Sequence, residues 1–264
     1  MNKTLSTLNQ LARHSNAFTT AEFRDFYGGS EQSAANALSR AARQGLIERV
    51  ARGRYVIREI GRLATYSSTE DLLLSLSPVL LDKEHRIAYL TALEYHSLLL
   101  HPQSEFQVAL AAPTRTRKVS GRVFRQVIEV RRFLSVGAME VDHGCRVSDL
   151  PRTLLDAARR PDLMGGVDII GDALKLTDFD DLSLLVDYAG ELETEGALRR
   201  LGSIAGAIGQ SALAEELRSR LALPTTPIPV DPGADSSSHA WVDPEWNVTW
   251  DATSADLLGL PVRK

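Results

Sequence analysis

Within the first 57 residues the apolar period changes in a way that few small folds can satisfy. Leu5, Leu8 and Leu11 recur at helical spacing, which predicts a helix over residues 4–15. Phe18 then precedes Thr19-Thr20, and Thr20-Ala21-Glu22-Phe23 is expected to start a helix with a hydroxyl cap and an early acid, the chemistry that satisfies the unpaired amides of a helix start. That second helix is short and stops at Gly28-Gly29. Ser30 caps a third over Glu31–Gln44, in which Ala35, Leu38 and Ala42 are expected to face inward. Gln32, Ser33, Asn36, Arg40 and Arg43 fall on the opposite face, and Gly45 supplies the left-handed turn that ends the helix. From Leu46 the period becomes two. Leu46, Ile47, Arg49 and Val50, then Arg52-Gly53-Arg54, then Tyr55-Val56-Ile57 predict a β-hairpin with a basic, glycine-containing tip. Helix, short helix, turn, helix, basic hairpin is the order of a winged helix-turn-helix.

The 264-residue chain carries a net charge of −4, which taken alone argues against a polyanionic partner. Its distribution reverses that inference. Residues 1–62 hold ten Lys/Arg against five acids, a balance of +5, whereas the remaining 202 residues hold 20 basic groups against 29 acids, or −9. A basic end joined to an acidic body is two electrostatic objects averaged into one number. The junction is expected near Glu59–Ser68, where Gly61 and Ser67-Ser68 interrupt the apolar pattern. This gives a winged helix-turn-helix DNA-binding domain over 1–62 and a larger domain over 63–264.

The physics of the basic end suits DNA. A helix carrying Gln32, Ser33, Asn36, Arg40 and Arg43 can reach base edges in the major groove, and Arg49, Arg52, Gly53 and Arg54 can lie along phosphates. Each feature has a plainer explanation: a polar helix face is ordinarily just solvated, and some winged helices serve only protein interactions. Their occurrence together, in a segment of +5, favours DNA. No stretch approaches ~18–20 uninterrupted apolar residues, so no segment reads as a membrane span. Met1-Asn2-Lys3-Thr4-Leu5 lacks the apolar core of an export signal, and the lone Cys145 excludes an internal disulfide and a cysteine-based zinc site. A cytoplasmic protein is the expectation.

Beyond the junction an α+β body is expected. Residues 69–81 carry Leu72, Leu73, Leu76 and Leu80 at helical spacing, Arg86–Tyr89 is short and extended, and Thr91 is placed as the cap of the next helix. Alternation marks strands at Phe106–Leu110 and Val123–Val130, with shorter ones at Met139–Val141 and Cys145–Val147. From Ser148 the pattern is helical almost to Leu223, Pro224–Gly233 reads as an extended connector, and strand-like alternation returns at Ala240–Val242 and Asn247–Trp250. The predicted whole is a winged helix-turn-helix plus a larger C-terminal domain with a small mixed sheet and a helical second half.

Three stretches occur in a telling order: Phe18-Thr-Thr-Ala-Glu-Phe through Gly45-Leu-Ile-Glu-Arg-Val with Arg52-Gly-Arg-Tyr55; Tyr89-Leu-Thr-Ala-Leu-Glu-Tyr-His96; and Val147-Ser-Asp-Leu-Pro-Arg-Thr-Leu-Leu-Asp156 followed by Arg160-Pro-Asp-Leu-Met-Gly-Gly166. Together they resemble the AbiEi family of antitoxins from type IV toxin–antitoxin (abortive infection) systems, over about residues 5–210. One departure is Leu150-Pro151, where the family has an acid before its Arg/Lys-Thr-Leu-Leu-Asp run. The resemblance implies a winged-helix domain joined to a C-terminal antitoxin domain. It further implies repression of the protein's own operon through operator DNA with inverted repeats, and opposition to a cognate nucleotidyltransferase-like toxin without a stable complex.

Other chemistry is thin. Arg115, Arg117, Lys118, Arg122 and Arg125 belong to a run from 115 to 132 with seven Lys/Arg against Glu129, a candidate second nucleic-acid contact whose plainer explanation is a solvated loop. His96, His101, Asp142, His143 and Cys145 lack metal-ligand spacing, and Asp178, Asp180 and Asp181 read as a helix start. Arg152 is placed to pair with an acid on a core helix, and Gly165-Gly166 reads as a tight turn. No catalytic residue, metal or cofactor is therefore assigned. The alternative class is a nuclease or transferase targeted to nucleic acid by the winged helix.

Overall fold

The computed structural model describes residues 3–13, 17–57, 69–99, 103–177, 182–222, 226–234 and 239–260. The expected junction at 59–68, His101 and the acids at 178, 180 and 181 lie outside the described residues. The chain starts with α1 (Lys3–Ala12), β1 (Ala17–Thr19), α2 (Thr20–Tyr27), α3 (Glu31–Arg43), β2 (Ile47–Ala51) and β3 (Arg54–Ile57). Next come α4 (Thr69–Leu80), β4 (His85–Ile87), α5 (Tyr89–Tyr95), β5 (Glu105–Leu110), β6 (Lys118–Val119) and β7 (Arg122–Ile128). They are followed by α6 (Arg131–Leu134), β8 (Ala138–Val141), β9 (Cys145–Ser148), α7 (Leu150–Arg159), α8 (Pro161–Met164) and α9 (Val167–Lys175). The last are α10 (Ser183–Glu191), α11 (Glu195–Ala207), α12 (Ser211–Ser219), β10 (Ile228–Pro229), β11 (His239–Asp243), β12 (Val248–Asp251) and α13 (Ala252–Leu257). The fold class is α+β, with the helical second half and the mixed strand pairing that were expected.

Two compact units emerge from this order. The first takes Met1–Arg86, Ser104–Glu129 and Glu140–Arg146, and the second takes Ile87–Gln103, Val130–Met139 and Val147–Lys264.

In the first unit, local chemistry sets the helix ends. Thr19 is the N-cap of α2: its Oγ1 accepts the Glu22 amide at 3.2 Å while the Glu22 carboxylate accepts the Thr19 amide at 2.6 Å, which closes a capping box. Gly28, at φ +65°, ends α2, and the Ser30 hydroxyl opens α3 by accepting the Ser33 amide at 3.2 Å. The stripe that α3 buries is Ala34, Ala37, Leu38 and Ala41, and not the expected Ala35, Leu38 and Ala42, since Ala35 is exposed and Ala42 only half-buried. The alanines at 34, 35, 37, 41 and 42 permit two helical stripes about 100° apart, and packing against Leu8, Leu11, Phe18 and Phe23 selects one of them.

Strand β1 is too short for alternation to reveal. It pairs antiparallel with β3 through Phe18↔Tyr55, and β2 closes the order β1-β3-β2, against which α4 packs. In the same unit β5 and β7 run parallel in register from Glu105↔Val123 to Leu110↔Ile128, while β6 turns back onto β7. The β6–β7 turn is Ser120-Gly121, both at positive φ, as a tight hairpin requires.

The second unit is built around α7 and α11. Leu154 and Leu155 of α7 are fully buried. Helix α5 begins at Tyr89 behind Ala88, two residues before the expected cap, and Thr91 lies fully buried within it. The reason is local: Tyr89, at φ +56°, turns the chain from β4 straight into the helix. Gly165, at φ +85°, makes the tight turn between α8 and α9. Near the end of the chain β12 packs on α11. There β12 pairs parallel with β10 and antiparallel with β11, and the Arg199 guanidinium donates to the carbonyls of Thr226, Trp246 and Asn247 at 2.6–2.9 Å. Gly202 lies so close to the Trp246 ring that a Cβ there would stand 2.2 Å from it.

Candidate nucleic-acid interface

Helix α3 presents Gln32, Ala35, Asn36, Ser39, Arg40 and Arg43 outward. Once the inward stripe is Ala34-Ala37-Leu38-Ala41, these six positions are its necessary complement on a 3.6-residue helix. Gln32 Nε2 donates to Asn36 Oδ1 at 3.2 Å, so the two amides sit side by side, the side-chain chemistry that reads an adenine edge. Ser33 is placed differently from the expectation. It is half-buried, its hydroxyl donates to the Ser30 carbonyl at 2.9 Å, and it serves the helix cap.

Arg52 and Gly53 form the turn of the β2–β3 hairpin, Gly53 at φ +74°. The Gly53 carbonyl accepts the Thr20 amide at 2.8 Å and the Thr20 hydroxyl at 3.2 Å, so the tip is fastened to the first turn of α2. Arg49 and Arg52 are exposed. Arg54 is not aimed outward with them: its guanidinium donates to the Pro78 carbonyl and the Asp82 carboxylate, and so braces the hairpin. The exposed cations of α3 and the hairpin are thus Arg40, Arg43, Arg49 and Arg52.

The second basic group falls in the same compact unit. Arg115, Arg117, Lys118 and Arg125 are exposed, with Arg125 also 3.2 Å from Glu105. Arg122 is half-buried, stacked 3.9 Å over the Phe106 ring and bonded to the Glu105 carbonyl. Gln126 holds the loop shape: its side-chain oxygen accepts the Thr114 amide at 2.7 Å and its amide donates to the carbonyls of Thr114 and Thr116. Strand β6, with Lys118, packs beside β2 of the hairpin. Sequence reading missed that adjacency, and only the strand order could have supplied it. Arg131 and Arg132 belong to the other unit.

Two of the titratable groups weighed for chemistry, His96 and Cys145, bond to backbone carbonyls within the fold. Cys145 is buried, which pushes its thiol up to about 12. His96 Nε2–H donates to the Ser148 carbonyl at 2.7 Å, and burial lowers its pKa. Among the described residues no group of three or more His, Cys, Asp or Glu is placed to hold a metal ion, and no helix is long and apolar enough to cross a membrane.

His85 gives a pH dependence. Its Nε2 accepts the Arg146 amide at 3.0 Å, which leaves Nδ1–H to donate to the Lys83 carbonyl at 2.8 Å, and burial first of all holds its pKa below the ordinary 6.5. The unfolded chain therefore binds the proton more readily than the folded one. Stability is fully present above about pH 6.5 and is lost as pH falls through the folded value. Urea midpoints should drop between pH 7 and 5, and less steeply in His85→Gln; an unchanged slope in the variant contradicts this assignment.

Residues 6–58, from α1 through β3, match the family model described as a transcriptional regulator, AbiEi antitoxin. The similarity to the AbiEi family lies in this segment. The fold of the chain as a whole is similar to the crystal structure of the RV2827C protein from Mycobacterium tuberculosis, with a TM-score of 0.65 over 98% of this chain and 94% of that one, at 14% identity. At that identity the likeness is one of fold. No curated protein matches. The matched segment contains α3 and the hairpin with their exposed cations.

Proposed function

We propose that the chain is an antitoxin that represses its own operon, with residues 1–62 as the DNA-binding domain and 63–264 as the antitoxin domain. The observation that carries this reading is the outward face of α3, with paired amides and two arginines, inside the segment that matches the AbiEi regulator model. In this reading α3 lies in the major groove with Gln32 and Asn36 toward base edges and Arg40 and Arg43 toward phosphates, while Arg49 and Arg52 hold the adjacent backbone. The basic loop with Arg115, Arg117, Lys118 and Arg125 extends the phosphate contact. Operator DNA with inverted repeats takes two copies, since a two-fold site mirrors a protein pair. The toxin opposed is nucleotidyltransferase-like, and opposition needs no stable complex.

The test uses the full chain with a labelled duplex from upstream of its own gene, in Mg²⁺. A salt-sensitive shift with intact DNA is expected, and DNA cleavage would favour the nuclease alternative. Co-expression with the product of the neighbouring gene should restore growth. Absence of both shift and rescue contradicts the proposal.

A further inference from the structure

The C-terminal sheet and α11–α12 of the second unit border a solvent-open cavity of about 570 Å³. That volume lies in the range of small-molecule sites, about 300–1,000 Å³. One wall is Trp241, whose indole is stacked on Trp250 with ring centroids 5.4 Å apart and planes 3° from parallel. Trp246, buried against Gly202, forms another part of the lining. The ring is therefore a flat aromatic surface held rigid from behind.

The charged lining is all of one sign. Asp243, Glu215 and Glu245 border the cavity, and no lysine, arginine or histidine does so among the described residues. Arg199 is committed to the carbonyls of Thr226, Trp246 and Asn247 and is not part of the lining. A relay fixes the innermost acid. Trp250 Nε1–H donates to Ser203 Oγ at 3.0 Å, and the Ser203 hydroxyl donates to Asp243 Oδ2 at 2.7 Å. Asp243 Oδ1 accepts the Glu245 amide at 3.0 Å, which fixes the turn that carries Glu245. Carboxylates without countercations beside a rigid indole favour one ligand chemistry: a cation with a flat or apolar body, attracted to the ring face and to the acids together.

We propose that this cavity binds an organic cation of the guanidinium class, flat against Trp241, with Asp243 and the rim acids Glu215 and Glu245 as its counter-charges. The site lies wholly in the second unit and stands independently of the nucleic-acid reading. A guanidinium reaches it either as a free small molecule or as an arginine side chain of a protein partner.

The chain contains three tryptophans, Trp241 and Trp246 in the lining and Trp250 stacked behind Trp241, so selectively excited tryptophan fluorescence reports on this part of the fold. The full chain is titrated with N-acetyl-L-argininamide and, separately, with its neutral analogue N-acetyl-L-citrullinamide. The expected result is a saturable change with the first, at least about tenfold weaker with the second. Glu215→Gln/Glu245→Gln, both at exposed positions, should weaken binding without shifting the thermal midpoint. A capped peptide with one central arginine that binds about tenfold more tightly than argininamide assigns the cation to a partner's side chain, whereas equal or weaker binding assigns it to a free molecule. A non-saturating response, or equal responses to the charged and neutral probes, would overturn the proposal.

Discussion

Asp156→Ala is expected to cost about 3–5 kcal/mol of stability. Arg152 and Asp156 are both fully buried on α7, with Arg152 Nε 3.0 Å from Asp156 Oδ1 and Arg159 3.5 Å from the same oxygen. The Arg152 guanidinium also donates to the carbonyls of Phe133 and Val136 at 3.0–3.1 Å, so it ties the loop at 133–136 to α7. The loop cannot draw back to let water reach the charge. Gly137 sits where a Cβ would stand 2.5 Å from the Arg152 Cβ, and its carbonyl accepts the Asp149 amide at 2.8 Å. Asp149 in turn caps α7 and accepts the Tyr188 hydroxyl at 2.8 Å. Removing the carboxylate leaves a buried cation facing the gap. At roughly 2–4 °C per kcal/mol for a unit of this size, the thermal midpoint should fall by about 10 °C. Circular dichroism melts check it. Arg152→Met/Asp156→Leu should recover much of the loss, because it removes both charges together. A fall below about 2 °C in the single variant would show that the pair is not the anchor its burial implies.

That ion pair was legible in the sequence as an arginine four residues before an acid on an apolar helix, because i,i+4 spacing places two side chains on one face. The helix ends of the first unit were legible for a similar reason. The cap at Ser30 and the glycines at 28 and 45 are local chemistry, while the cap of α2 is Thr19, one residue before the Thr20 at which the sequence pattern starts it. The face of α3 was harder. Its alanines fit two stripes, and Phe18 and Phe23, which decide between them, come from another part of the chain. Arg54 shows the same limit. It looks equivalent to Arg52 across Gly53, yet alternation in the strand turns it toward Pro78 and Asp82, twenty-four and twenty-eight residues away. Several elements escaped because they are short: among them β1, α6 and α8 have three or four residues each, about one period of a pattern or less. The adjacency of β6 and β2, which sets the second basic group beside the hairpin, depends on strand order. Periodicity carries no information about that.

The second large effect concerns DNA. Four exposed arginines, at 40, 43, 49 and 52, are proposed to neutralise four or five phosphates per copy with help from the basic loop. Each released counterion contributes about −0.9 to the slope of log K against log salt, which gives roughly −4 per copy. Affinity should therefore fall about 250-fold between 50 and 200 mM salt. Replacing Asn36 by alanine is expected to reduce discrimination between operator and random duplex by about 1–3 kcal/mol, with little change on random DNA. Replacing the arginines should weaken binding to both alike.

The most direct test compares the salt slope of operator binding, by fluorescence anisotropy, for the full chain and for Arg40→Ala/Arg52→Ala. The predicted result is a slope near −4 per copy that shrinks by about two in the double variant. A slope near zero in the unaltered protein, or one that the double substitution leaves unchanged, would contradict the placement of DNA on α3 and the hairpin.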